Sequence, residues 1–570
     1  MRYHSVTLLV ALGMEFHSCA MAQQASAITP ASSAVVASPQ QEIWFSPRQH
    51  YKPGTGVTDW DEQFVSDTAW AKAAAHVKVF VITEGIIRCQ SDEELGAMKA
   101  FLEQHHMEIA IETGIIEKQV GSKYGGGEGY MFVGEIKAMA RRLQKLGITP
   151  NYIRMDEPIW FGHYDKNDSW VQQLSIDDLV KRITNNTQEL TSVFPDIKIV
   201  DIDTVPPLTM EPDWQSTYKE FKQKLEAALG KPITSIQVDL QWSNPSWKHD
   251  VKEIADFAHS LGMKFGIIYN NDGPGSNDRE WLQNAERGFI TIESELGLFP
   301  EQPVMQSWDK FPTHSLPETS DTAHTYLIAR YLLPRTRLVA QRERGAIKGL
   351  LIDENGRPIS GAQVTMSAPD LVESRPLPTL SVSGTVPEKA KTAIMGIRIN
   401  CECLSDGKSD LLVGKFSYQE AGSGTVSQIL DYPAQVQQAK PPKVKSEMTT
   451  IGGQSVAHII ADTGQTLGFN SPAFAVTPGA QYEFQAQADL VAGEGLYGRI
   501  ILIWLDDQKH GFSAVPIIVD RKYSTSGHAS TDERGEFSIT LPKEKETVAG
   551  PLRLTFAGSS ALRPAITVIP

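Results

Sequence analysis

Where the stretch "NYIRMDEPIWFG" breaks its apolar run, two carboxylates stand side by side, Asp156 and Glu157. Other apolar runs of the chain end the same way. Glu84 closes "VKVFVITE", Glu112 sits in "MEIAIETG", and Asp201 and Asp203 punctuate "IKIVDIDTV". Asp239, Gln241 and Trp242 close "IQVDLQW". Tyr269, Asn270, Asn271 and Asp272 close "KFGIIYNNDG", and Gln306, Ser307 and Trp308 come after "VM" in "VMQSWDKFP". A single acid at such a place is commonly a helix cap or an ion-pair partner. Acids at five run ends are harder to explain by caps alone. Two carboxyl groups can divide the cleavage of a glycosidic bond, one protonating the leaving oxygen and the other attacking the anomeric carbon or activating water. Amides and carboxylates bind hydroxyl pairs, and indole faces stack on the apolar faces of sugar rings. Crowded acids raise at least one pKa, which a proton donor at neutral pH requires. No histidine pair at ligand spacing joins them, so neither a metal nor a cofactor is expected.

These residues need elements that bring run ends together. Between Glu42 and Leu333, eight apolar runs alternate with stretches of helical spacing such as "DEELGAMKAFLEQHH" and "IDDLVKRITNNTQELTSVF". Several helical stretches close on glycine. Eight units of this kind predict a (β/α)8 TIM barrel, typically ~250 residues, whose active site lies at the C-terminal ends of the strands. A doubly wound sheet, with fewer strands, is the weaker fit. Strand alternation suggests that Glu112, Asp201, Asp203, Asp239 and Gln241 all point inward.

The formal net charge of −15 argues against a nucleic-acid partner. At the N-terminus, Arg2 precedes a short apolar stretch, and Ala20-Met21-Ala22 offers a small-x-small cleavage site. This predicts a secretory signal over 1–22, a secreted or periplasmic location, and no membrane span. Residues 23–40 read as a flexible lead-in. The remaining cysteines, Cys89, Cys401 and Cys403, are too few for a disulfide framework and read as small buried thiols.

At "RMDEPIW" the sequence resembles the clan of retaining glycoside hydrolases built on (β/α)8 barrels. The resemblance implies Glu157 as acid/base, Asp156 in the place of that clan's asparagine, and Trp308 as the floor of a sugar subsite. It departs at strand seven, where the clan keeps its nucleophilic glutamate and this chain offers only Asp272. Barrel glycosidases related to alpha-galactosidases use aspartates ending strands four and six, which correspond here to Asp156 and Asp239. Asp239 is the preferred second carboxylate, with Asp272 the other choice.

Beyond the barrel, assigned to 41–335, short alternating strands and glycine-rich turns predict all-β sandwiches. The element Gly356-Arg357-Pro358-Ile359-Ser360-Gly361-Ala362 resembles the opening of a carboxypeptidase regulatory-like, Ig-type domain. Its expected second hairpin occurs at "STDERGEFSITLP", Ser530 to Pro542. The Ig-like domain is therefore assigned to 345–384 and 523–570. Residues 385–522 form an insert resembling a carbohydrate-binding jelly roll, with Tyr418, Tyr432, Phe469 and Trp504 as possible sugar platforms. The whole is read as an exported glycoside hydrolase acting on a polysaccharide or oligosaccharide. The alternative is a glycan-binding protein with a degenerate barrel. Glu157, Asp239, Asp272 and Asp156 are the expected catalytic groups. Glu112, Gln241, Trp242, Tyr269, Asn270, Asn271, Gln306 and Trp308 are the expected substrate contacts.

Overall fold

All eight apolar runs form strands: β1 (Ile43–Ser46), β2 (Val77–Thr83), β3 (Glu108–Thr113), β4 (Tyr152–Met155), β5 (Lys198–Val205), β6 (Ile233–Leu240), β7 (Lys264–Tyr269) and β8 (Gln302–Gln306). The structure is a computed structural model that describes residues 41–569 apart from 51–54, 119–127, 133, 166–172, 243, 245, 271–276, 344, 370–376, 401–407, 422–425, 429–443, 463–465, 493–497, 510, 519–522 and 542–551. The expected signal segment and lead-in lie outside the described residues. The strands pair in parallel in chain order, and β1 closes the ring by pairing with both β2 and β8.

Among the described residues the main helices between strands are α1 (Ala71–Ala74), α2 (Asp92–Gln104), α3 (Glu135–Leu146), α4 (Ile176–Thr191), α5 (Trp214–Leu229), α6 (Trp247–Ser260), α7 (Asp278–Ile290) and α8 (His324–Tyr331), and a further short helix, Glu84–Cys89, stands between β2 and α2 with Glu84 in its first turn. Local chemistry sets their ends. Ser91 and Glu94 form a capping box at α2, and the side chains of Ser175 and Asn277 accept backbone N–H groups at α4 and α7. Gly147 and Gly230, with φ of 67° and 66°, end α3 and α5 in the left-handed conformation that costs glycine little.

Every barrel strand is buried on both faces. One set of alternate residues, including Trp44, Val79, Val81, Ala110, Tyr152, Val200, Ile202, Ile268 and Val304, fills the barrel's interior. The other set, including Phe45, Phe80, Ile111, Met155, Val238, Ile267 and Met305, packs outward against the helices.

The C-terminal third is all-β. One sheet joins Thr336–Glu343, Ala346–Asp353 and Glu536–Thr540; another joins Tyr523–Ser530, Gln363–Pro369, Leu552–Phe556 and Ala565–Ile569. Their shared core includes Ile347, Leu351, Val364, Met366, Phe537 and Leu554. Gly349 is required there, because a Cβ would sit 2.3 Å from the Phe537 ring. Strands distant in sequence thus pair across the intervening stretch. That stretch makes two further sheets, of which one includes Thr379–Thr385 paired with Gln481–Ala492. Tyr418 and Trp504 are buried in the core between these sheets, so they are packing residues, not sugar platforms. Tyr432 and the side chain of Phe469 lie outside the described residues. Cys89, expected to be buried, is exposed, whereas Cys401 and Cys403 fall outside the described residues.

The first sandwich is locked to the barrel by a buried ion pair. Arg563 Nη1 donates to Glu293 Oε2 at 2.5 Å, and both side chains are almost fully enclosed. The guanidinium also lies over the rings of Tyr331 and Phe289 and donates to the Tyr331 carbonyl. Ile566 joins the barrel's own outer core.

Candidate active site

The parity of each strand decides which of its polar residues reach the barrel mouth. On β3, β6 and β8, Glu112, Asp239 and Gln306 share parity with the interior residues Ala110, Gln237 and Val304. On β5 it is Val200 and Ile202 that fill the interior, so Asp201 and Asp203 face the helices, contrary to expectation. Asp201 accepts from the Tyr218 hydroxyl of α5 at 2.6 Å, and burial raises its pKa to about 7. Burial also lifts Asp203, while the amides of Thr204, Trp160 and Ile159 pull it down. Asp203 therefore braces the segment after Glu157 from behind. Tyr269 is likewise turned outward, fully buried against Phe289 and Tyr331. It is a packing residue, not a substrate contact.

Beneath the mouth lies a polar floor that the sequence reading missed. Arg154, on β4, is wholly buried and ion-paired to Glu112. Its Nε donates to Gln237 Oε1 at 2.7 Å and its Nη1 to Gln306 Oε1 at 3.0 Å. Gln306 returns its amide to both Glu112 oxygens at 2.9 Å. Gln306 and Glu112 thus serve the floor, and neither lines the cleft. A basic residue inside an apolar run, two positions before Asp156, was the available signal.

Above this floor opens a cleft of about 270 Å³. It is lined by Glu157, Asp239, Gln241, Asn270 and Trp308, all expected, and by Glu128, Trp160, Phe161, Thr204, Leu240 and Asp309, which were not. Glu157 is 7% exposed and has φ of 42°, a conformation unfavourable for a side-chain-bearing residue. Simple alternation would send adjacent acids to opposite faces. With the backbone turned at Glu157, it is Glu157 that lines the cleft, whereas Asp156, also expected to be catalytic, is not among the lining residues. Asp156 feels the charges of Glu112, Glu128 and Glu84, and Glu157 those of Asp239, Asp156, Asp203 and Glu128. Burial raises the Glu157 carboxyl well above the usual range, and the charges of Asp239 and Asp156 raise it further. Asp156 is raised by burial, Glu112 and Glu128, against the opposing pull of Arg154. These are the electrostatics of a retained proton beside a second acid.

Asp239 is held by a short relay. Asn270 Nδ2 donates to Asp239 Oδ1 at 3.3 Å, and Trp242 Nε1 donates to Asn270 Oδ1 at 2.6 Å. Because the indole can only donate, it fixes the Asn270 amide with its NH2 toward Asp239. Trp242, expected against substrate, packs instead on Tyr269, Trp247 and the Gly288 backbone, outside the cleft lining. It positions Asn270. Asn271 and Asp272 lie outside the described residues. Among the described residues, His249, Asp250 and Glu253 on α6 could bring three ligand atoms together, away from the cleft lining.

No protein-family model matches the sequence, and no curated protein matches it significantly. Several solved structures are similar. An endo-1,4-beta-xylanase from Caldicellulosiruptor owensensis aligns at 10% identity and a TM-score of 0.31, covering 48% of this chain and 89% of that one. A xylanase from Paenibacillus barcinonensis aligns at 11% identity and 0.30, covering 48% and 88%. An aldolase from Desulfitobacterium hafniense also aligns, at 10% identity and 0.24, covering 47% and 87%. Likeness at this level assigns no chemistry to this chain.

Proposed function

We propose that this protein hydrolyses glycosidic bonds, with Glu157 as proton donor and Asp239 as the second carboxylate. The observation that carries the reading is that both acids line one cleft at the C-terminal mouth of the barrel, with Glu157 buried and its pKa pushed well above the usual carboxyl range by that burial and by Asp239. A donor must hold its proton at working pH, while its partner acts as nucleophile or base. The relay through Asn270 and Trp242 supports this division by orienting Asp239. Trp160, Phe161 and Trp308 offer faces on which sugar rings stack, with Gln241 and Asn270 for hydroxyls. Asp156 and Arg154 set the field under the donor. The signal-like N-terminus fits export to where polysaccharide is met.

The test is a panel of polysaccharides assayed for new reducing ends, with Glu157→Gln and Asp239→Asn beside the intact protein. Loss of at least ~10³-fold in both variants is expected, since each removes a group acting on the reacting bond. Full activity in Glu157→Gln would remove that residue from the mechanism. Retention of a glycan without products from the intact protein would instead support the glycan-binding alternative.

A further inference from the structure

The last residue of β7 and the one after it point opposite ways. Asn270 lines the cleft and donates to Asp239, while Tyr269 is buried against the helices. Asn270 is held in two ways, and both lead back to Tyr269. Its backbone continues directly from Tyr269. Its amide is fixed by Trp242, whose indole stacks on the Tyr269 ring with centroids 6.2 Å apart and planes at 27°. Trp242 is also wedged against α7, since a Cβ at Gly288 would lie 3.0 Å from the edge of the indole. The Tyr269 hydroxyl is buried and has no hydrogen-bond partner among the described residues, so packing and not a polar contact fixes that ring. The packing comes from Phe289, next to Gly288, at 5.8 Å and 77°, and from Tyr331 at 6.1 Å and 43°.

Arg563 covers both of those rings, its guanidinium 4.9 Å from the Phe289 centroid and 4.2 Å from that of Tyr331. It belongs to the C-terminal sandwich, between the strands Leu552–Phe556 and Ala565–Ile569. Glu293, which accepts from Arg563, also accepts from the Tyr331 hydroxyl. Resting on the glycosidase reading, we propose that Arg563 is a positioning residue for the barrel's reaction. It holds Phe289 and Tyr331, these hold Tyr269, and Tyr269 holds Trp242 and Asn270 against Asp239. The sandwich thereby serves the cleft without lining it. A close-packed interior fills a void only by shifting its neighbours, and a misplacement of about 1 Å arising far from the chemistry can cost ~10²-fold in rate.

The indole N–H of Trp242 reports on this relay without any substrate. The full-length chain would carry nitrogen-15 tryptophan, and the Trp242 resonance would be identified by its loss in Trp242→Phe. Arg563→Met should move that resonance by more than its linewidth. Arg563→Lys should move it less, because lysine keeps a cation beside the two rings. Val364→Ala should leave it in place, since Val364 lies in the sandwich's own core and its loss weakens the sandwich without touching the relay. On the polysaccharide of the panel that the intact chain cleaves, Arg563→Met should lower kcat about 3- to 10-fold with KM nearly unchanged, a coupling of the size packed networks carry. Combined with Trp242→Phe it should add little, since both act through Asn270. Should Arg563→Met fail to fold, Arg563→Met/Glu293→Gln, which leaves no carboxylate short of its partner, carries the same measurements. A Trp242 resonance unmoved by loss of Arg563, one moved equally by Val364→Ala, or kcat losses that multiply in full in the combined variant overturns the proposal. No cleavage of any chain by the intact protein removes the catalytic role together with the glycosidase reading. A resonance that still answers to Arg563 then places the fault in that reading and not in the relay.

Discussion

Arg154→Met offers the sharpest test of how the site is held. Methionine keeps most of the side-chain volume beside the Trp44 ring, whose centroid lies 5.9 Å from the guanidinium, and deletes the charge. Glu112, whose side chain is 16% exposed, then loses its ion-pair partner inside the barrel. Breaking a buried pair by removing one member costs about 3–5 kcal/mol, because the survivor stays charged without compensation. At the ~2–4 °C per kcal/mol typical of larger domains, the melting temperature should fall by roughly 6–20 °C. The double variant Arg154→Met/Glu112→Gln buries no orphan charge and retains an acceptor for Gln306. It should recover more than half of the loss. Thermal unfolding of the wild type, both single variants and the double variant completes the cycle. A loss below about 1 kcal/mol in Arg154→Met, or a double variant as unstable as the sum of the singles, would refute the compensation argument.

Three further outcomes are expected. Burial and neighbouring acids raise the folded pKa of Glu157 above its unfolded value. The native state therefore binds more protons than the unfolded chain, and stability is lost as pH rises through that interval. Glu157→Gln should accordingly stabilise the protein at pH 8 relative to pH 5, even as it abolishes activity; equal melting shifts at both values would contradict this. Trp242→Phe removes the donor that orients Asn270, and should cut kcat by about tenfold with KM nearly unchanged, as for a positioning group. Trp242→His, which keeps a ring N–H, should restore part of the loss. Finally, Arg563→Met leaves buried Glu293 with only the more distant Arg335, at 3.6 Å, as a charged partner, and should cost less by denaturant titration than the about 3–5 kcal/mol of a fully orphaned charge; Arg563→Met/Glu293→Gln should recover much of it.

The barrel was legible because its signal is repeated. Eight apolar runs spaced by amphipathic stretches leave few other ways to bury so many two-sided strands, and the acids of β4 and β6 are expected from where such strands end. The repeat that reveals the fold also hides side-chain direction. In "IKIVDIDTV" Val200 and Ile202 alternate with Asp201 and Asp203, but in a strand buried on both faces that alternation does not tell which set looks inward. The error on Asp201 and Asp203 has that cause, and so has the one on Tyr269. The pairing of Ala346–Asp353 with Glu536–Thr540 across the middle sheets likewise depends on contacts between segments far apart in sequence.

Sequence alone determined that carboxylates, amides and indoles would gather at strand ends, since composition and period are local properties. Tertiary structure decided which of them share a cleft. It turned Glu157 through a left-handed backbone into the cleft that Asp239 also lines, drew Trp242 off the surface to orient Asn270, and placed Arg154 beneath the acids as a buried counter-charge. Those are relations between residues brought together by closing the barrel, and no window of sequence contains them.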